Sequence, residues 1–414
     1  MKFIHGADLH LDRAFEGLRD LPTELSSKLR QKNQEMLQEI VELAIIEKVD
    51  FVLLVGDTFH QAAVAISTQK IVMEAFKKLA KNGISVVMTF GNHDYYNSET
   101  YWFEFPENVF LFKSEAVETI QLVTKNQEQV AISAFSYEHR WLESSKLGEY
   151  PQKNQQADYH IGLYHGTLGS ENVTQNYAPF SLSEMTNKGY DYWALGHIHQ
   201  PQVLKNNPPI IYSGSPVGHS KKETNSQGVV LVENQGNQLT YQWLNLGALE
   251  WQDVTLACQE LTSRKELLLK IEELLLAFGE RAESELSLVA LELKTVPASL
   301  NSQISSELAN GGLLNYLQER VFEESLGKLW LRSLTVLTSP EKALLPLGVT
   351  TEMLSEISQK ISRERFVKVT EELTRQGAIA YLLPKDDLAF QEERINSSLT
   401  HVLSELSQTG GEES

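Results

Sequence analysis

The chain has 414 residues and a formal charge of −19, because 55 Asp and Glu outnumber 36 Lys and Arg. This length predicts two or three domains, each long enough to bury a core, and the hydrophobic content of 42% excludes a wholly disordered chain. The acidic balance argues against a protein that holds nucleic acid by bulk positive charge, since such proteins usually carry a basic stripe.

Cysteine content and hydropathy narrow the classes further. The one cysteine, Cys258, excludes a disulfide framework and a cysteine-based zinc site. The first residues contain only a short apolar run before charge appears, which does not fit a secretory signal. No stretch approaches 18 consecutive apolar residues, so we expect no membrane span and a cytoplasmic location.

The first 245 residues alternate short apolar runs with helical patterns. The apolar runs predict strands at 3–7, 51–55 and 84–90, and the helical patterns predict helices at 24–48 and 68–81. Beyond Gly91 the pattern is strand-rich, with predicted strands at 109–112, 130–135, 159–164, 191–195, 210–212, 228–233 and 239–244. We interpret residues 1–245 as an α/β domain in which two sheets pack together, flanked by helices, with reactive loops at the strand ends.

The pattern changes near residue 246. A predicted helix at 263–278, a strand at 287–293, a helix at 304–324 broken by two glycines, and a strand at 329–337 indicate a small α/β domain over 246–338. Residues 339–407 are predicted to be a helical C-terminal region, most clearly over 351–376, and 408–414 a disordered tail. The charge is −8 over residues 1–245 and −11 over the remainder.

Five polar clusters directly follow predicted strands. They are Asp8-Leu9-His10, Gly56-Asp57, Gly91-Asn92-His93-Asp94, His165-Gly166 and Gly196-His197-Ile198-His199. Because loops converge at the carboxyl ends of strands in an α/β sheet, we expect these clusters to be neighbours in space.

Carboxylate, imidazole and amide groups bind borderline-to-hard divalent metals. The candidate ligands are Asp8, His10, Asp57, Asn92, His165, His197 and His199. One ion does not need so many groups, whereas two ions that share a bridging carboxylate do, and we choose Asp57 as the bridge. Paired ions imply an in-line displacement at phosphorus by an activated water.

His93 lies beside a candidate ligand and is not itself needed as one. We therefore assign His93 to stabilising charge on the phosphate and protonating the leaving oxygen. Asp94 follows it, and we expect this carboxylate to orient the imidazole and raise its basicity.

The order Asp-x-His, Gly-Asp, Gly-Asn-His-Asp, His and Gly-His-x-His resembles that of the calcineurin-like metallophosphoesterases over about residues 1–245. Residues 3–12 and Gly56-Asp57-Thr58-Phe59-His60 are similar to the SbcD/Mre-type DNA repair nucleases, and the opening through residue 18 is most similar to their YhaO branch. The resemblance implies a two-sheet metallophosphoesterase sandwich, a small α/β capping domain and a helical C-terminus that docks an ATPase.

The resemblance also implies roles for single residues. One metal would take Asp8, His10, Asp57 and His199, and the other Asp57, Asn92, His165 and His197. The usual ions are two Mn²⁺, with other divalent metals open. His93 would be the catalytic histidine, and His60 would lie near the path of DNA. The implied partners are DNA, an SbcC/YhaN-like ATPase with long coiled coils, and a second copy of the chain in a homodimer.

Other polar residues remain open between two interpretations. Arg13 and the pair Lys221 and Lys222 can contact phosphates, but isolated basic residues are usually solvated surface. His60 fits a substrate-side role and a packed or solvated histidine about equally well. For His5, inside the first predicted strand, we expect a hydrogen-bonded core residue.

Our leading hypothesis is a manganese-dependent DNA exonuclease, with endonuclease activity left open, that acts on DNA ends in double-strand break repair. The alternatives are a small-molecule phosphodiesterase, for example of cyclic nucleotides, and a mainly structural subunit that binds DNA ends or the ATPase. The long segment after residue 244 favours the first, because compact small-molecule enzymes rarely need such an addition. Bound ions add positive charge at the cleft, so the acidic balance does not exclude a DNA substrate. The acidic balance predicts instead that this chain alone binds DNA weakly.

Overall fold

The computed structural model describes residues 1–337, with short gaps at 17, 19–20, 170–176, 222, 224–227, 237, 247–248 and 282–283. The predicted helix at 351–376, the ATPase-docking region and the predicted tail lie outside the described residues. No helix in the described part of the chain combines the length and the apolar character that crossing a membrane requires.

The described residues form fifteen strands and six α-helices. The strands are β1 (Lys2–Gly6), β2 (Phe51–Val55), β3 (Ser85–Thr89), β4 (Val109–Leu111), β5 (Glu118–Val123), β6 (Gln129–Ala134), β7 (Tyr159–His165), β8 (Tyr192–Gly196), β9 (Gln202–Asn206), β10 (Pro209–Tyr212), β11 (Val229–Gln235), β12 (Gln238–Leu244), β13 (Glu250–Ala257), β14 (Ser287–Lys294) and β15 (Leu329–Leu337). The helices are α1 (Thr23–Ile46), α2 (Ile66–Lys81), α3 (Leu182–Asn187), α4 (Arg264–Arg281), α5 (Ala298–Ala309) and α6 (Gly312–Glu324).

Two six-stranded sheets make up the larger part of the fold. The first has the order β12-β11-β1-β2-β3-β4 and the second the order β5-β6-β7-β8-β10-β9. Strands β1 to β4 run parallel in the first sheet, as do β6, β7, β8 and β10 in the second. This arrangement confirms the predicted α/β sandwich of two sheets flanked by helices.

Strand β2 shows why the two sheets and the helices form layers. All five of its residues are buried, which is typical of a parallel strand covered on both faces. Leu53 and Val55 belong to the core between the two sheets, whereas Val52 and Leu54 belong to the core under helices α1 and α2. Alternate side chains of one strand therefore hold both layers together.

Helix α2 covers the first sheet through an apolar stripe at helical spacing. Val72, Phe76 and Leu79 are buried and lie three or four residues apart, which places them on one face. The helix ends at Lys81 and Asn82 is its C-cap. Gly83 follows with a φ of +66°, the left-handed conformation in which helices commonly end.

A smaller three-stranded sheet follows the sandwich in the order β13-β14-β15. Helices α4, α5 and α6 share a separate core with it, formed by residues such as Ile271, Val289 and Leu317. Gly311 has a φ of +76° and separates α5 from α6, as the two adjacent glycines predict. The elements expected over 246–338 are present, while the domain boundaries at 245 and 338 remain predictions.

Candidate metal centre

The candidate ligands come from the carboxyl ends of five strands. Asp8 and His10 follow β1, Asp57 follows β2, and Asn92 follows β3. From the second sheet, His165 is the last residue of β7, and His197 and His199 follow β8. The carboxylate oxygens of Asp8 accept the backbone N–H of His197 at 3.1 and 3.0 Å. The loops of the two sheets are therefore joined across the site.

The backbone of this site is strained at the ligands themselves. Asp8, His10, Asp57 and His197 have φ values of +54°, +45°, +51° and +97°, a region that residues other than glycine rarely adopt. Each such residue costs on the order of 1–3 kcal/mol, and the surrounding fold must supply this energy. The fold thus positions four polar side chains at a cost in local stability. Such strain is characteristic of a functional site.

Two glycines allow the ligands to come close together. A Cβ atom on Gly91 would lie 2.2 Å from Oδ1 of Asp57, and one on Gly196 would lie 2.7 Å from Nδ1 of His165. Both distances are far inside van der Waals contact, so any other residue would displace a candidate ligand.

The inner side of the centre consists of Asp57, Asn92, His165 and His197. Oδ1 of Asn92 lies 3.1 Å from Nε2 of His165 and 3.1 Å from Nδ1 of His197. His165 donates from Nδ1 to the backbone carbonyl of Val55 at 2.9 Å, which directs its Nε2 toward Oδ2 of Asp57 at 3.5 Å. Four residues expected to share one ion are thus brought together.

The outer side consists of Asp8, His10 and His199. The Nε2 atoms of His10 and His199 are 3.2 Å apart, and Nε2 of His199 lies 4.0 Å from Oδ1 of Asp8. Oδ2 of Asp57 lies 3.8 Å from Nε2 of His10, so this carboxylate faces both sides, as a bridging ligand must.

Asp57 and His165 form a charged pair within the centre. Burial alone would raise the pKa of the Asp57 carboxyl, but the neighbouring His165 and His10 hold it well below its usual value. Burial opposes protonation of His165, yet Asp57 raises the pKa of that imidazole to about 9. Burial lowers the pKa of His10 well below its usual value and that of His197 to about 3. Neutral imidazoles beside a buried carboxylate are the form in which these groups bind metal.

His93 is fixed at the edge of the centre by two contacts. Its backbone N–H donates to Oδ1 of Asp57 at 2.9 Å, and its Nδ1 donates to the carbonyl of His60 at 3.1 Å. These contacts involve the backbone and Nδ1, and the other ring nitrogen is Nε2. His10 and His93 have ring centroids 5.1 Å apart, which places the predicted catalytic imidazole beside a predicted ligand.

Asp94 does not have the role expected from its place next to His93. Its Oδ1 accepts the backbone N–H groups of Gly91 at 2.7 Å and Asp57 at 3.1 Å, and its Oδ2 accepts that of Phe59 at 3.2 Å. The His60 carbonyl orients the His93 ring instead, so the interpretation of Asp94 as the orienting group is wrong. Asp94 fixes the two loops that carry Asp57 and Asn92.

His60 lies within the site. Its ring stacks on that of His93 with centroids 4.9 Å apart, and its Nδ1 is 3.4 Å from Nδ1 of His10. Its backbone N–H donates to Oδ1 of Asp12 at 2.6 Å. His5, in contrast, is a core residue as expected, because its ring nitrogens contact the Tyr192 hydroxyl and the Leu195 carbonyl.

Arg13 differs from the phosphate-binding cation that the sequence left open. Its guanidinium pairs with Glu16 at 2.8 Å and with Glu223 at 3.3 Å. Oε1 of Glu223 also lies 3.3 Å from Nδ1 of His199. Arg13 therefore contacts Glu223, and Glu223 contacts the predicted ligand His199. Lys221 is exposed, and Lys222 lies outside the described residues.

Glu223 is the residue of this site that the sequence did not indicate. Burial alone would raise the pKa of its carboxyl, but its hydrogen bond to His199 and the charge of that imidazole hold the pKa at about 2. It follows no predicted strand and matches no motif, so no sequence pattern marked it. Because Glu223 contacts Nδ1 of His199, the other ring nitrogen, Nε2, remains as the candidate ligand atom on the outer side.

The donor set, the strained ligand backbone and the glycine contacts together fit a divalent-metal centre. Three of its groups, Asp8, His10 and His199, place ligand atoms within 4.8 Å of one another, as do Asp8, Asp57 and His165. Carboxylate and imidazole ligands suit ions of the manganese or zinc kind. The described residues thus provide a His/Asp cluster that can hold a divalent metal ion.

Comparisons with known proteins identify the family of this chain. Residues 1–201 match the family of calcineurin-like phosphoesterases. The uncharacterized metallophosphoesterase YhaO of Bacillus subtilis (strain 168) is 33% identical over 66% of this chain and 67% of that protein. The D component of the nuclease SbcCD from the same organism is 25% identical over 58% of this chain and 68% of its own length. The DNA double-strand break repair protein Mre11 of Methanopyrus kandleri is 23% identical over 61% of this chain and 57% of its own length.

Proposed function

Because the chain belongs to the calcineurin-like phosphoesterase family and is a metal-dependent phosphodiesterase, we propose that it is a manganese-dependent nuclease that cleaves DNA at broken ends. The observation that carries this proposal is the placement of His93, stacked on His60, beside both Asp57 and His10. This arrangement supports His93 as the proton donor beside two metal ions. The likeness to two relatives named as a nuclease and a DNA repair protein supports DNA as the substrate.

Two bound divalent ions would polarise the phosphate and supply a nucleophilic water. Asp57 would hold both ions, with Asn92, His165 and His197 on the inner side and the outer-side ligands opposite them. His93, which donates from Nδ1 to the His60 carbonyl, would in its doubly protonated form present Nε2–H to the leaving oxygen and transfer that proton to it, which leaves the neutral imidazole. The pre-formed hydrogen bonds of the loops keep these groups in place before substrate arrives.

Manganese and two protein partners belong to the proposed activity. Oxygen and imidazole ligands without thiolate suit Mn²⁺. The acidic balance of the chain supports a division of labour, in which an SbcC/YhaN-like ATPase and a second copy of the chain help to hold DNA. The relative named for the nuclease SbcCD is by name one part of a complex. Light scattering of the purified chain tests the dimer, and co-purification with the ATPase tests the complex.

A substrate panel tests the proposed function. End-labelled linear DNA, the same DNA with both ends blocked, and a cyclic nucleotide are incubated with the chain and Mn²⁺. We expect rapid digestion of the free-ended DNA and slow turnover of the cyclic nucleotide. Faster turnover of the cyclic nucleotide would instead identify a small-molecule phosphodiesterase, and no turnover of any substrate would favour a structural subunit.

A further inference from the structure

Two loop segments bring aromatic side chains together next to the metal centre. Leu142 and Tyr177 form a bridge between neighbouring chain segments, and the backbone N–H of Ala178 donates to the Leu142 carbonyl at 2.6 Å. Trp141 immediately precedes this pairing, and its ring centroid lies 5.4 Å from that of Tyr177. Backbone pairing therefore fixes the two rings side by side.

Tyr177 connects this aromatic pair to the predicted ligands. Its ring lies 4.6 Å from the ring of His197, tilted by 36°. Its carbonyl accepts the backbone N–H of Thr167 at 3.0 Å, two residues after His165. The position of Tyr177 is thus set by both loops of the second sheet that supply ligands.

Trp141 continues the aromatic strip outward from the centre. Half of its surface, 50%, is exposed, although such a large side chain is usually buried. The guanidinium carbon of Arg140 lies 5.3 Å from the centre of the Trp141 ring, within the range of a cation–π contact. Leu142 is buried and anchors the segment. The result is an open strip of two rings and one cation that begins at a metal ligand.

We propose that Tyr177, Trp141 and Arg140 form a stacking subsite for an unpaired nucleobase of the substrate. This inference rests on the proposed function and specifies its substrate class. Aromatic rings stack on any base, and arginine adds charge for the adjoining backbone phosphate. Bases inside a duplex are already stacked on one another, so the subsite takes a base from a single-stranded end or flap.

The other strongly exposed tryptophan gives a matched control. Trp102 is 73% exposed and lines a cavity of about 660 Å³ beside β4, together with Glu104 and Glu107. These carboxylates repel a polynucleotide. Trp102 is therefore an exposed tryptophan ring in negatively charged surroundings, where a nucleic-acid strand is not expected to bind.

The test compares two phosphodiesters with the same p-nitrophenolate leaving group in the presence of Mn²⁺. One, thymidine 5′-(p-nitrophenyl phosphate), carries a base, and the other, methyl p-nitrophenyl phosphate, does not. The wild-type chain should have the lower KM for the thymidine ester. Trp141→Ala should raise the ratio of the two KM values, thymidine over methyl, by roughly 5- to 150-fold, the range of one stacked base.

Three controls keep the outcomes distinct. Trp141→Phe should retain the low ratio because it keeps an aromatic ring, Trp102→Ala should retain it as well, and Trp141→Leu replaces Trp141→Ala if that variant does not fold. An unchanged ratio in a folded Trp141 variant lacking the ring, equal wild-type KM values, or no turnover of either ester overturns the subsite. A base-dependent KM without digestion of DNA leaves the subsite standing and contradicts the nuclease proposal.

Discussion

The two sides of the metal centre are held by different kinds of contact. On the inner side, His165 is 1% exposed and donates to the backbone carbonyl of Val55 within β2. On the outer side, His199 is 25% exposed and its Nδ1 faces the side chain of Glu223, which Arg13 holds in turn. A backbone carbonyl in a buried strand is present whichever residue occupies the position. The carboxylate of Glu223 and the guanidinium of Arg13, in contrast, are lost when those residues are substituted.

The inner side is therefore set by the fold and the outer side by replaceable side chains. Carboxylates that contact a metal-binding histidine fix its orientation and increase its basicity. The outer side should bind its ion more weakly, and with more dependence on single residues, than the inner side. Four predictions test this contrast.

The largest expected effect belongs to Asp57, because it faces both sides. Asp57→Ala should remove both ions and abolish turnover. Substitution of a ligand that belongs to one side alone should remove only one ion. Metal content per chain by plasma mass spectrometry measures the difference, with Asp158→Ala, which affects a contact to the backbone of Gln129, as a control. Two ions retained in Asp57→Ala would remove it as the bridge.

His93 should be needed for turnover while both sides keep their ions. His93→Asn should lower kcat about 10²- to 10⁴-fold, the usual contribution of a positioned acid or base, with unchanged metal content. Rates on linear DNA and metal content are measured on the same preparation. A wild-type rate in this variant contradicts the assignment of His93.

Glu223 should affect the outer side alone. Glu223→Gln should weaken the binding of one manganese ion about 10- to 100-fold, the range for residues that orient a metal ligand, and leave the other ion unchanged. Arg13→Gln should have a smaller effect in the same direction, since it acts through Glu223. Calorimetric titration of the metal-free protein with Mn²⁺ resolves the two sites, and equal weakening of both would contradict the separation into two sides.

The smallest expected effect is a pH dependence of the inner side. In metal-free protein Asp57 raises the pKa of His165 to about 9, so the stabilisation is complete below the unfolded value near 6.5 and is lost as pH rises toward 9. The melting temperature without metal should fall between pH 7 and 9, and the increase produced by Mn²⁺ should grow, because metal replaces the proton. An increase that shrinks over this range would contradict the Asp57–His165 pair.

The sequence predicted that the candidate ligands are neighbours because each lies at the end of a predicted strand, and a strand end fixes where the next residues lie. Whether these residues bind metal remains a prediction. Asp8 and His197, for example, come from different sheets yet touch through backbone and carboxylate. Adjacency in sequence was a poor guide for Asp94, whose side chain turns back to backbone N–H groups instead of the neighbouring ring. Contacts between loops, such as those of Arg13 and Glu223, follow no period and left no pattern to detect.

The sequence did not predict the two edge strands of the second sheet, because few of their residues are buried. Strand β5 ends one sheet and has mostly exposed residues, and β9, at the other edge of the same sheet, has no buried ones. Without a continuous apolar run, neither sequence indicates a strand. Strand β13 also alternates more and less exposed positions, and the sequence pattern gave no prediction for it.

The proposed mechanism requires that two unequal metal sites act together. The test is the rate of digestion of end-labelled linear DNA, measured as Mn²⁺ is added stepwise to metal-free protein, with bound manganese determined at each step. We predict little digestion with the first, tighter ion and a steep rise as the second ion binds. Full activity with one ion per chain would contradict the paired centre.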